Sequence, residues 1–233
     1  PRSTHQDTLS LHDALPICTA SLPKESLLTL LTTLLTTQPS LRPTIAALLP
    51  APTLSTTLST LATLERAVLA SVPSGQHLRE EYIWGRVRTS LESYVLEAKA
   101  FLSAFLNPPT DDDELSHPST TFAFLYALTS SVRRLEVALP ATPIKNPLAA
   151  HLLPITINAW HALLTRLGGR VLGKALVEGW FERIDELCVD SPGGVEGGAK
   201  RACEGVRDRM RRELGWLVGL RAASSAMMDD EEL

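Results

Sequence analysis

Leucine recurs at spacings of three and four along most of this chain, and prolines and glycine pairs cut that pattern into short pieces. Leu27, Leu30, Leu31, Leu34 and Leu35 follow the i, i+3, i+4, i+7, i+8 pattern of one helical face. Pro23 suits the first turn of that helix, where a missing N–H costs nothing. A second helix is expected from about Ser40 to Leu49, stopping at Pro50. A third carries Leu54, Leu58, Leu61, Leu64, Val68 and Val72 on one stripe, with Thr and Ser opposite. Such stripes on short helices cannot bury themselves alone. They need one another or a second copy of the chain. No segment sustains period-two alternation, so no strand is predicted and the fold class is all-α.

The same pattern continues beyond Ser74-Gly75, a natural break between units. A long helix is predicted from His77 to Leu106, ending at Asn107-Pro108-Pro109 because a residue before proline is pushed out of the helical region. Thr110 to Pro118 reads as a polar, acidic loop. Ser119 is the expected N-cap of the next helix, which ends before Pro140. A short helix over Leu148 to Leu153 precedes one opening at Pro154 and running to Leu167, with Gly168-Gly169 as its stop. Another spans Lys174 to Cys188. Ser191-Pro192-Gly193-Gly194 turns the chain into a last helix carrying Val195, Ala199, Ala202, Val206, Met210, Leu214 and Leu217. The expected architecture is a small helical region followed by a bundle of about six helices.

Composition bounds the function classes. With 44% apolar residues in 233, the chain can bury a sizeable core. Three cysteines cannot form a disulfide framework, which leads to the expectation of a reducing compartment. A net charge of -4 argues against a nucleic-acid binder, which normally carries a basic excess. Asp7 to Ile17 reads DTLSLHDALPI, the translation of a sequencing-library adapter in one frame, so Pro1 to Ile17 is expected to be adapter-derived. On that reading the natural chain begins near Cys18, with its N-terminal part lost. Residues 1–17 carry −1 (Arg2 against Asp7 and Asp13) and Asp229-Asp230-Glu231-Glu232 carry −4, which leaves 18–228 at +1. The acidity therefore belongs to the two ends. Residues 223–233 are expected to form an acidic disordered tail.

Most candidate chemistry fails on its context. The four residues Asp111-Asp112-Asp113-Glu114 could hold magnesium only from a helix facing a cavity and a second acidic cluster. Here they follow two prolines in a loop, so a solvated loop is the better reading. His77, His117, His151 and His161 show no metal-ligand spacing, no CxxC occurs, and four zinc ligands cannot be assembled. Gly193 to Lys200 only superficially matches a phosphate loop, since no strand precedes it and no Ser or Thr follows the lysine. No nucleophile elbow is present. No metal, cofactor or catalytic residue is assigned. The prolines at 39, 43, 50 and 52 interrupt the apolar Leu22–Val72 stretch, so no membrane span is expected.

One charged feature survives. Lys200, Arg201, Arg207, Arg209, Arg211 and Arg212 crowd the last helix, interleaved with Glu204, Asp208 and Glu213. A solvated face with i, i+4 pairs is the plain reading. A surface for anionic lipid headgroups or an acidic partner is the functional one. Trp84, Trp160, Trp180 and Trp216 fall within helices, where burial in a core is the default.

The order of several short pieces carries a resemblance. They are Leu48-Leu49-Pro50-Ala51-Pro52, Tyr82-Ile83-Trp84-Gly85-Arg86-Val87-Arg88, and Phe105-Leu106-Asn107-Pro108-Pro109. Ser119 with Phe122, Phe124-Leu125 and Thr129 follows, then Ala159-Trp160, Gly179-Trp180 and Leu214-Gly215-Trp216. From about Leu22 to Leu220 the chain resembles the fungal tethering factor for the nuclear proteasome. That resemblance implies a non-enzymatic homodimer with a short helical dimerisation region and a six-helix bundle resembling 14-3-3 proteins. It implies retention of the proteasome in the nucleus, at the envelope, with a cytoplasmic pool, in support of ubiquitin-dependent nuclear protein degradation. It further implies contact with an importin-α adaptor and with anionic membrane lipid. Residues 18–73 map to the dimerisation region, with Leu27, Leu30, Leu31, Leu34, Leu54, Leu58, Leu61 and Leu64 as candidate interface residues. Residues 74–222 map to the bundle, with the basic last helix as candidate lipid face. The lysine-rich segment that the family uses on the proteasome is missing; only Lys24 stands near the start. The alternative is a helical lipid-surface or phosphopeptide-binding adaptor unrelated to the proteasome.

Overall fold

Threonine is a poor helix former, yet five of the fourteen residues of the first helix are threonine. In the computed structural model, α1 spans Lys24–Thr37. The hydroxyls of Thr29, Thr32, Thr33, Thr36 and Thr37 each donate to the carbonyl four residues earlier, at 2.7–3.0 Å. Each hydroxyl thereby satisfies itself within the helix and leaves the leucines as its apolar face. Pro23 sits at the N-cap rather than in the first turn. A single 3-10 turn over Pro39–Leu41 follows. The structure describes residues 23–41, 44–45, 52–75, 78–106, 116–140, 146–189 and 198–220. Most of the helix expected over Ser40–Leu49 lies outside them, as do residues 1–17 and the acidic tail.

The chain divides into two compact units, Pro1–Ala51 and Pro52–Leu233. The second contains α2 (Leu54–Ser71), α3 (Glu80–Leu106), α4 (Ser116–Ala138), α5 (Leu153–Leu167), α6 (Lys174–Cys188) and α7 (Gly198–Leu214). No strand occurs among the described residues. The all-α expectation holds, and α6 has the limits read from the sequence. The helix expected over Leu148–Leu153 is a π-helical turn, Leu148–Leu152, that runs directly into α5. Helix α4 starts at Ser116, so Pro118 falls within its first turn and Ser119 is no cap. The last helix starts at Gly198 and tightens after Leu214 into the 3-10 turn Gly215–Val218.

Unit membership differs from the sequence reading. The division falls between Ala51 and Pro52, not near residue 73. Helix α2 packs on α3 and α4. Its Leu61 and Val68 are buried among Val87, Leu91 and Tyr94 and the rest of one continuous core, and Leu54 and Leu64 lie against that core. The helix is capped by Thr53, whose hydroxyl accepts from Thr56 N at 3.2 Å. Among the described residues, α2 belongs to the second unit together with α3 to α7.

The core is knit by aromatic rings. Phe122 stacks on Trp180 at 4.6 Å between centroids and meets Trp160 edge-on at 5.1 Å. Phe105 stacks on Phe124 at 4.5 Å. These contacts join α3, α4, α5 and α6, and each adds about 0.5–1.5 kcal/mol beyond area burial. Trp160 Nε1 donates to Thr129 Oγ1 at 3.0 Å, and the Thr129 hydroxyl donates to Leu125 O at 2.7 Å. Several helix ends are closed by side chains from other helices. Arg166 donates to Leu106 O, Arg133 donates to Val189 O, and Glu136 accepts from Ala199 N. A carboxylate at the α7 N-terminus and guanidiniums at the α3 and α6 C-termini match the polarity of each helix end.

Leu61→Ala is expected to lower unfolding stability by about 2–4 kcal/mol in urea titrations, against less than about 0.5 kcal/mol for exposed Leu96→Ala. Equal small effects would show that α2 is not part of the bundle core.

Candidate functional site

Two of the sequence-derived candidates reach the surface, and one of them is largely self-paired. On α7, Arg207 and Arg211 share Asp185 of α6, both at 3.9 Å. Arg207 also approaches Asp208 at 3.8 Å. Arg209 faces Glu213 at 3.9 Å and donates to Thr165 Oγ1 at 2.9 Å. Lys200 is half-buried, Arg201 is exposed, and each already interacts elsewhere in the chain. Arg211 and Arg212 are exposed. His161 lies at the edge of this face. Burial first, then the charges of Arg209 and Arg212, hold its imidazole below the ordinary value of 6.5. The face is a loosely paired basic strip, in which Arg207, Arg209 and Arg211 each have an acidic neighbour at ion-pair range rather than hydrogen-bond range.

The leucine candidates separate. On α1, Leu27, Leu30 and Leu34 are exposed at 37%, 49% and 37%, Leu31 is half-buried, and no residue of the helix is buried. On α2, Leu61 is 4% exposed inside the bundle, and Leu54 and Leu64 pack against the core. Leu58 is half-buried. Leu54, Leu61 and Leu64 are thus engaged within the chain, whereas the α1 stripe has no buried residue.

Sequence reading missed a polar network linking three helices. Arg134 of α4 holds Glu65 of α2 through two hydrogen bonds, Nε to Oε1 at 2.6 Å and Nη2 to Oε2 at 2.8 Å. Ser131 also donates to Glu65. Tyr94 of α3 and Ser131 are 2.7 Å apart, both buried. Burial pushes the Tyr94 phenol up to about 12, so it stays protonated and donates to Ser131, whose hydroxyl is then free to donate to Glu65. Burial also pushes the Glu65 carboxyl upward. The hydrogen bonds from Arg134 and Ser131, with the Arg134 charge, outweigh it and hold Glu65 below its ordinary 4.5. The sequence did hold a signal: Glu65 lies on the apolar stripe four residues from Leu61.

Trp216, read as a core residue, is 56% exposed because the chain tightens at Gly215; its Nε1 donates to Glu213 O at 3.0 Å. Trp84, Trp160 and Trp180 are buried. Cys188 and Cys203 are free and buried; burial pushes the Cys203 thiol up to about 12 and Cys188 upward as well. Among the described residues, no group of three or more His, Cys, Asp or Glu is placed to hold a metal ion. His77, Asp111 to Glu114, the His117 side chain and Gly193 to Gly197 lie outside them. No described helix is long and apolar enough to cross a membrane.

The first unit carries the apolar stripe of α1, and the second is an aromatic-cored helical bundle with a basic strip on α7. The chain belongs to the Cut8 family, described as nuclear proteasome tether proteins, whose family model matches residues 7–140. That span overlaps the stretch expected to be adapter-derived and extends from there through α4. No curated protein matches the chain.

Loss of the Glu65 carboxylate should appear as a pH effect. Glu65 is depressed in the fold and returns to about 4.5 on unfolding, so the unfolded chain binds more protons below that pH. The contribution is complete above about pH 4.5 and is lost as pH falls through the lower folded value. In urea titrations, Glu65→Gln is expected to be less stable than the parent at pH 7 by about 1–3 kcal/mol. The gap should narrow as pH drops below about 4.5. A gap independent of pH would rule out an ionised, clamped Glu65.

Proposed function

We propose that this chain is a non-enzymatic, homodimeric tether that retains the proteasome in the nucleus, at the envelope, and so supports ubiquitin-dependent nuclear protein degradation. The family match over residues 7–140 is the observation that carries this reading. The α1 stripe gives it a physical basis. Leu27, Leu30 and Leu34 are exposed on a helix with no buried residue, and a second α1 is self-complementary to such a stripe. Leu31 would lie beside them in that interface. A cytoplasmic pool carried inward by an importin-α adaptor completes the proposed route.

The basic strip suggests how the envelope would be met. An anionic membrane surface would exchange the ion-pair contacts of Arg207, Arg209 and Arg211 for headgroup phosphates, with Arg212, Lys200 and Arg201 alongside. The second reading, a lipid-surface or phosphopeptide-binding adaptor without the proteasome, uses this same strip and is favoured by its concentration of cations. Anionic vesicles brought to His161 would offset the repulsion from Arg209 and Arg212. Its imidazole should then titrate at higher pH in NMR, and an unchanged titration would place lipid elsewhere.

Light scattering on the full chain should give a dimer mass, and Leu30→Asp with Leu34→Asp a monomer with an unchanged bundle melt. In cells lacking the native tether, the chain should restore nuclear enrichment of a fluorescent proteasome subunit. Dimer formation without that enrichment would favour the second reading.

A further inference from the structure

The last helix ends in a cap that fixes where the rest of the chain departs. Gly219 is left-handed, with φ 77°. Leu220 N donates to Gly215 O at 2.8 Å, and Gly219 N donates to Trp216 O at 3.5 Å. These are the paired bonds of a Schellman cap, which stops the helical path and reverses the chain. Leu220 O lies so close to Gly215 that a Cβ added there would stand 3.1 Å from it. Residues 221–233 therefore leave from beside the C-terminal end of α7.

Apolar surface and positive charge meet at that end. Trp216 is exposed and its Nε1 is already committed to Glu213 O, so what it offers a neighbour is ring surface. Leu220 is exposed as well. The basic strip is unbalanced. Helix α7 carries six cations against three carboxylates, and Asp185 lowers that excess only to two. Arg212 is exposed and has no ion pair among the described residues. Arg209 and Arg211 have theirs only at 3.9 Å.

The departing chain carries the matching groups in the matching order. Met227-Met228 comes first, and Asp229-Asp230-Glu231-Glu232 follows at once. The six residues 221–226 precede them and span up to about 20 Å. Arg209 lies only about 9 Å of helix before Gly215. The segment therefore reaches both the ring and the cations with chain to spare.

We propose that residues 227–232 fold back on the C-terminal end of α7 and act as a built-in competitor of its anionic partner. The two thioethers lie against the Trp216 ring. The four carboxylates pair with Arg209, Arg211 and Arg212. Tethering raises the local concentration of the segment to the millimolar range, so contacts too weak for a separate peptide suffice. The docking stands apart from the tethering reading. Its consequence, that an anionic membrane must displace the tail to reach the strip, rests on the lipid reading of that strip.

Two variants of the full chain test it by NMR. One neutralises the acids (Asp229→Asn, Asp230→Asn, Glu231→Gln, Glu232→Gln). The other keeps them and removes the apolar pair (Met227→Ser, Met228→Ser). Both should shift the Trp216 indole N–H, assigned with Trp216→Phe, and the amides of Arg209, Arg211 and Arg212, with amides near Leu91 unmoved. A synthetic peptide of residues 221–233, added to the neutralised chain at about 1 mM, should return them. Binding to phosphatidylcholine–phosphatidylserine vesicles should tighten at least about threefold in the methionine variant, whose net charge is unchanged. That factor corresponds to a tail docked about two-thirds of the time. Resonances that stay in place in both variants, or that the peptide does not restore, would overturn the docking. So would a Trp216 position in the unaltered chain that changes with dilution, since the tail would then sit on another copy. Equal vesicle binding by the parent and the methionine variant would overturn the competition. Binding by neither would remove the lipid reading instead, and the resonances would still decide the docking.

Discussion

The bidentate clamp of Arg134 on Glu65 decides what the second helix belongs to. A carboxylate on the apolar face of α2 could not be buried in the bundle without compensation, because an unpaired charge there would cost several kcal/mol. Arg134 and the Ser131 hydroxyl supply that compensation, and Tyr94 satisfies Ser131 in turn. The chain of contacts runs from α2 through α4 to α3. Once Glu65 is held, the surrounding α2 face, with Leu61 and Val68, can close over α3 and α4. The polar network fixes register where leucines alone would permit sliding, since one Leu stripe fits another at several offsets.

The division of labour between units follows. With α2 taken into the bundle, Leu61 is buried and Leu54 and Leu64 lie against the core. The apolar stripe that remains uncovered is that of α1, where threonine hydroxyls return to their own backbone and leave leucine as the only group seeking contact. The basic strip of α7 is held open differently. Its cations sit near Asp185 and Glu213 at 3.9 Å, close enough to be solvated as pairs yet too far for strong hydrogen bonds. Ion pairs at that range and exposure are weak, so their partners exchange at little cost. Membership in a family of nuclear proteasome tethers is consistent with a molecule whose chemistry lies in surfaces.

Much of the fold was legible because helical periodicity is a local property. The limits of α6, the end of α3 at Leu106 and the apolar faces all follow from residue spacing and the helix-breaking prolines. Among the pieces that carry the resemblance, Phe122, Phe124, Trp160 and Trp180 are aromatic joints of the core, with Thr129 receiving the Trp160 N–H. What was not legible is which stripe faces which. Periodicity shows that α1 and α2 each have an apolar side but not that Arg134, sixty-nine residues away, will draw α2 inward. Tertiary caps were equally hidden, since Glu136 at the α7 start and Arg166 at the α3 end act across long stretches of sequence. Trp216 was misplaced because the tightening at Gly215 interrupts a pattern that continues in sequence.

Residues 54–71 form an integral helix of the bundle. Native-state hydrogen exchange on the full chain measures it directly, amide by amide. Amides around Leu61 to Val68 are expected to open with the same free energy as those of α3 and α4 near Leu91 and Leu128. Exchange of α2 through a separate opening of much lower free energy, with α3 and α4 still protected, would contradict it.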